Sequence, residues 1–132
     1  MSNEKVATLN IKIKELFSRW LDITRAFHKL TNQQQQVLSL FLYYHYQFKK
    51  DTTNPKILWK MVFDYDTKLK IREDEVFKDK EMSNNVLHNI ITGLRKKGII
   101  VDGQISPMFI PDLTPKSKSF KVIFNFNIVD NG

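Results

Sequence analysis

The stretch from residue 83 to residue 106 leaves this chain the least freedom in how it folds. It opens on Ser83, whose hydroxyl suits the capping position at the start of a helix. Val86, Leu87, Ile90, Ile91 and Leu94 then recur at steps of three and four, which makes one side of a helix apolar over residues 83–97. Arg95, Lys96 and Lys97 fall in the last turn, where positive charge complements the helix dipole. Gly98 is placed to close the helix in the left-handed conformation. Immediately afterwards, the run Ile99, Ile100 and Val101 is separated from Gln104, Ile105 and Ser106 by Asp102 and Gly103, the pair that favours a two-residue hairpin turn. A helix joined so closely to a hairpin makes the chain α+β.

Upstream, the apolar spacing is mainly helical. Leu9, Ile11 and Ile13 alternate with polar residues and read either as a short strand or as the ragged start of a helix. From Leu16 the period changes, and Leu16, Phe17, Trp20, Leu21, Ile23 and Phe27 predict an amphipathic helix over about residues 13–29. Thr31 and Gln34 have the spacing of a capping box, so a second helix should start there and run to about Phe48. The four consecutive glutamines, residues 33–36, fit a solvated first turn. Asn54 followed by Pro55 marks another helix start, with Ile57, Leu58, Met61 and Val62 as its stripe. Residues 68–72 alternate like a short strand, and residues 73–80 suit one or two helical turns.

Beyond the hairpin, Pro107, Pro111 and Pro115 interrupt the chain and point to a loop or an edge position. Phe120, Val122, Phe124, Phe126 and Ile128 then alternate with Lys121, Ile123, Asn125, Asn127 and Val129, the strongest strand pattern in the molecule. The expected architecture is three or four helices followed by a C-terminal β-hairpin or small antiparallel sheet.

With 132 residues, 42% of them hydrophobic, the chain has the size and apolar content of one folded domain. No apolar run approaches the roughly 20 residues of a membrane span. The N-terminus lacks a signal-peptide pattern, so a cytoplasmic protein without a membrane partner is expected. The absence of cysteine excludes disulfides, thiolate metal sites and a thiol nucleophile. The bias towards Lys, Asn, Ile and Phe points to an AT-rich bacterial or phage genome. Net charge is +7, and it is uneven: residues 1–50 hold eight bases against three acids, whereas residues 64–82 hold seven acids against five bases. A basic chain invites a polyanion, nucleic acid first.

The order of helices, then a capped helix ending in Gly-Ile-Ile, then strands around a basic loop resembles the winged-helix family of DNA-binding domains. The residues carrying the resemblance are Leu30 and Thr31 with Gln36, Val37 and Leu38, and Ser83 to Val86 through Leu94 to Ile100. It covers about residues 30–128, leaving residues 1–29 as an N-terminal amphipathic helix suited to dimerisation, all within one domain. The resemblance implies that helix 83–97 reads DNA, presenting Asn84, Asn85, His88, Asn89, Thr92, Arg95 and Lys96. Asn pairs bidentately with adenine and Arg with guanine, and Thr touches a thymine methyl. Loop 111–119 would be the wing, with Lys116 and Lys118 on phosphates and Ser117 as an auxiliary donor. A regulator of transcription or replication, of bacterial or phage origin, follows from the same resemblance, with double-stranded DNA and a second copy of the chain as partners.

Catalysis is not indicated. His28, His45 and His88 are scattered, Asp64 and Asp66 flank Tyr65 in a polar segment, and no phosphate-binding glycine loop or nucleophile elbow occurs. Neither a metal nor a cofactor is expected. The competing reading is a phage virion or assembly protein that uses a similar module to dock other virion proteins. Charge placement discriminates the two: DNA binding requires Arg95, Lys96, Lys116 and Lys118 on one face, with the acidic residues Glu73, Asp74, Glu75, Asp79 and Glu81 turned away.

Overall fold

The computed structural model describes residues 5–114 and 116–130. It is α+β and mostly helical: α1 (Ile13–Ile23), α2 (Arg25–His28), α3 (Asn32–Phe48), α4 (Pro55–Val62), α5 (Tyr65–Arg72) and α6 (Asn84–Lys96), then β1 (Ile100–Val101) and β2 (Gln104–Ile105). Single turns of 3-10 helix occur at Glu75–Phe77 and Pro107–Phe109. Among the described residues six α-helices thus replace the expected three or four.

The core is organised around α3, which touches α1, α4, α5 and α6. Its start is the capping box: the Gln34 amide donates to the Thr31 hydroxyl and the Thr31 amide donates to Gln34 Oε1. Val37, Leu38, Leu40, Phe41, Leu42 and Tyr46 of α3 are all buried. From α1, Phe17 and Leu21 pack in, the Phe17 ring 5.8 Å from Tyr46. The apolar side of α1 is therefore largely spent on α3, and what α1 and α2 leave exposed is chiefly Ile23 and Phe27. The expected helix over residues 13–29 is interrupted at Thr24, whose hydroxyl donates to the Trp20 carbonyl. His28 closes the corner. Its Nε2 donates to the Leu21 carbonyl and its Nδ1 accepts from the Leu30 amide.

Two local expectations are corrected. Residues 68–72 are helical, because Asp64 caps α5 and the buried stripe is Thr67 and Ile71, four residues apart. The Thr67 hydroxyl bonds the Met61 carbonyl, so a polar residue sits where a sequence pattern looks for an apolar one. The glutamines are not all solvated: Gln35 is buried, accepting from Arg25 and donating to Asp22.

α6 and the hairpin follow the local signals closely. Ser83 Oγ accepts from the Val86 amide. At the other end Gly98 has φ +74°, with Gly98 N–H donating to Arg95 and Ile99 N–H to Leu94. β1 and β2 pair antiparallel, Ile100 opposite Ile105, around Asp102 and Gly103, both at positive φ. Ile100 and Ile105 are buried against the helices, whereas Val101 and Gln104 face out. The expected strand over residues 120–128 is absent. Those residues have no regular structure, and Ile123, Phe124, Phe126 and Ile128 are exposed.

Candidate nucleic-acid interface

α6 buries Leu87, Ile90, Ile91 and Leu94 and turns Asn84, Asn85, His88, Asn89, Arg95 and Lys96 to solvent. Six of the seven expected reading residues are thus uncovered along one helix. Thr92 differs: it is half-buried and its hydroxyl donates to the His88 carbonyl, so its hydrogen is committed to its own helix. The orientation of α6 is held at both ends. Before it, Arg72 Nε donates to the Met82 carbonyl. At its end Lys97 Nζ donates to the Lys29 carbonyl and to Gln34 Oε1. Gly93 sits against the same glutamine, where an added Cβ would lie 2.7 Å from Gln34 Nε2. Lys97 is an anchor for α6, while Arg95 and Lys96 are exposed.

Beside Arg95 lies a depression that spacing alone did not reveal. It is lined by Lys56 and Lys60 from α4, by Arg95, and by the hairpin around Gly103. Lys56 and Lys60 are four residues apart and share one side of α4. Both are exposed. The helix puts them there because its opposite side, Leu58 and Val62, is buried in the core, and Trp59 between the two sides stacks on His45 at 4.4 Å. Asp64 and Asp102 also line the depression. The Asp64 carboxylate is engaged as the cap of α5, where it accepts from the Tyr65 amide. The signal that could have found the two lysines is the i, i+4 pair opposite the Leu58 and Val62 stripe.

The expected wing is corrected. No strand pairs on either side of loop 111–119 among the described residues, so it is not the tip of a hairpin. Pro115 itself lies outside the described residues. Lys116, Ser117 and Lys118 are exposed, but Ser117 Oγ accepts from the Thr114 amide and closes a local turn. Leu113 accepts from Lys49 Nζ, and Lys118 lines a cleft together with Tyr46, both near the C-terminal end of α3. Arg95 lines a different depression, the one beside α4, and shares no lining with Lys118. The only hairpin among the described residues is the short one after α6, and its turn carries Asp102 instead of a lysine.

Of the acidic residues before α6, Asp74 faces inward. Its carboxylate accepts from Lys14 Nζ at 2.6 Å, and its side chain is almost buried. That hydrogen bond, opposed by partial desolvation, pushes the Lys14 ammonium above the ordinary lysine value. Glu73, Glu75, Asp79 and Glu81 are exposed.

No protein-family model, curated protein or solved structure matches this chain. Among the described residues, no group of three or more His, Asp or Glu is arranged to hold a metal ion. No helix among the described residues is long and apolar enough to cross a membrane. His45 is buried and its pKa falls from 6.5 to about 4, chiefly through desolvation, with the Lys49 charge adding to it. Its place against Trp59 makes it part of the core between α3 and α4.

Proposed function

We propose that this chain is a winged-helix-like module that binds duplex DNA, with α6 in the major groove and α4 on the flanking phosphates. The observation that carries the reading is the uncovered polar side of α6, which offers Asn84, Asn85, His88, Asn89, Arg95 and Lys96 from a helix fixed at both ends. These side chains have the donors and acceptors that read base edges. Lys56 and Lys60, beside Arg95, take the positioning role first given to the wing, since ammonium groups on phosphate orient a protein without reading sequence. Inward pairing of Asp74 with Lys14 removes one carboxylate from the field that a phosphate would meet. Regulation of transcription or replication, in a bacterium or a phage, is the role such a module would serve.

A second reading has its own support. Ile57 and Tyr65 are exposed among the bases of the same depression, which suits docking to a protein such as a virion component. Fluorescence anisotropy on random duplex at low and moderate salt separates the two. DNA binding predicts salt-sensitive association whose log–log slope shrinks by about one for each of Lys56→Ala and Lys60→Ala, while Asn85→Ala or Arg95→Ala relaxes sequence preference. No association at either salt would leave the docking reading standing instead.

A further inference from the structure

Several cations of this chain have partners within it: Lys14 has Asp74, Lys49 the Leu113 carbonyl, and Lys97 the Lys29 carbonyl and Gln34. Lys56, Lys60 and Arg95 differ. Among the described residues, none of their charged ends meets a carboxylate or another acceptor, yet all three border the same depression beside the hairpin. Its volume is about 780 Å³, within the roughly 300–1,000 Å³ typical of ligand pockets. Tyr65, the first residue of α5, forms part of the wall and is 65% exposed. The neighbouring Trp59 is committed, stacking on His45 and on Phe63, whereas no ring among the described residues packs on Tyr65. From the hairpin, the exposed Asp102 and Gln104 line the same space.

We infer that this depression takes one unpaired nucleotide of a strand that leaves the duplex held by α6, which rests on the duplex-DNA reading. Three kinds of group are needed and all border the same space. Ammonium and guanidinium groups serve the strand's phosphates, a free aromatic face serves its base, and hydrogen-bonding side chains serve the base edge. Stacking requires a ring with an open face, which selects Tyr65 over Trp59. A fully paired duplex cannot use that ring, because its bases lie inside the stack. Asp102 favours a nucleotide over an acidic peptide. Its carboxylate repels acid groups but accepts hydrogen bonds from the imino or amino group of a base, and Gln104 offers both a donor and an acceptor. The other carboxylate there, Asp64, is occupied as the cap of α5. Arg95 belongs both to the polar side of α6 and to this depression, so a strand leaving α6 meets α4 and Tyr65 next.

The test is fluorescence anisotropy of the full chain with a blunt duplex, with the same duplex carrying a short oligothymidine tail on its 3′ or 5′ end, and with the tail alone. The wild type is expected to bind one of the tailed probes about tenfold more tightly than the blunt one, the effect of stacking a single base. Tyr65→Ala should erase that gain and leave blunt-duplex affinity unchanged, whereas Tyr65→Phe, which keeps the ring, should retain it. Tyr65 is exposed and it is its amide that donates to Asp64, so neither change threatens the fold. Equal affinity for blunt and tailed probes would overturn the inference and leave the duplex reading intact, as would a gain that survives Tyr65→Ala. Tail-dependent binding that is lost in Tyr65→Ala, without any association of the blunt duplex, would overturn the duplex reading and support the nucleotide pocket. No binding of any probe would overturn both, leaving the protein-docking reading of the same depression.

Discussion

Residues 83–106 and residues 118–130 handle their backbone polar groups in opposite ways. In the first, the Ser83 hydroxyl receives a first-turn amide, Arg95 and Leu94 carbonyls receive the amides after the helix, and the hairpin pairs within six residues. Every partner is close in sequence, so the loop-closure cost is small. The second is rich in β-branched and aromatic residues, but its partner is not nearby in the chain, and its backbone remains unpaired apart from Lys121. The difference shows that a strand pattern states only half of an interaction. A helix contains its own hydrogen-bond acceptors; a strand has to find them.

That contrast can be broken or sharpened by measurement. The largest effect is expected from Leu94→Ala, which empties a fully buried position beneath α6 and should cost about 2–5 kcal/mol in denaturant unfolding. A much smaller loss would mean that α6 is not part of the cooperative core. Next comes acid. Folded His45 titrates near 4 and its unfolded counterpart near 6.5, so between those values only the unfolded chain takes up the proton. Stability should be full above about pH 6.5 and decline by up to roughly 3 kcal/mol as pH falls towards 4. His45→Phe should flatten that window in thermal melts, and an unchanged profile would show the ring to be solvated. Ser83→Ala should cost about 1 kcal/mol through the lost cap. Smallest of all, Phe126→Ala should stay within about 0.5 kcal/mol of wild type, since Phe126 is 83% exposed.

The same contrast explains what could be read before the structure. The Thr31 and Gln34 box, the Asn54 and Pro55 start, the Ser83 cap, Gly98 and the Asp102-Gly103 turn are all short-range chemistry, and each stands where the residues placed it. α5 was hidden because its inward stripe includes Thr67, a polar residue satisfied by the Met61 carbonyl. The exposed polar side of α6 followed from its apolar period, apart from Thr92. Lys56 and Lys60 did not emerge, because their value depends on α4 lying beside Arg95, a long-range relation. The wing failed for a related reason: it presupposed that residues 120–128 pair within the chain.

Gln34 ties three things together: it completes the cap of α3, receives Lys97 from the end of α6, and fills the space that Gly93 leaves open. A helix latched in this manner has little freedom to tilt or slide against its support. Adaptation to a ligand of imperfect shape then falls to the ligand. For a duplex, the energy of conforming would depend on how readily each base step deforms, so sites would be ranked partly by stiffness at positions that no side chain touches.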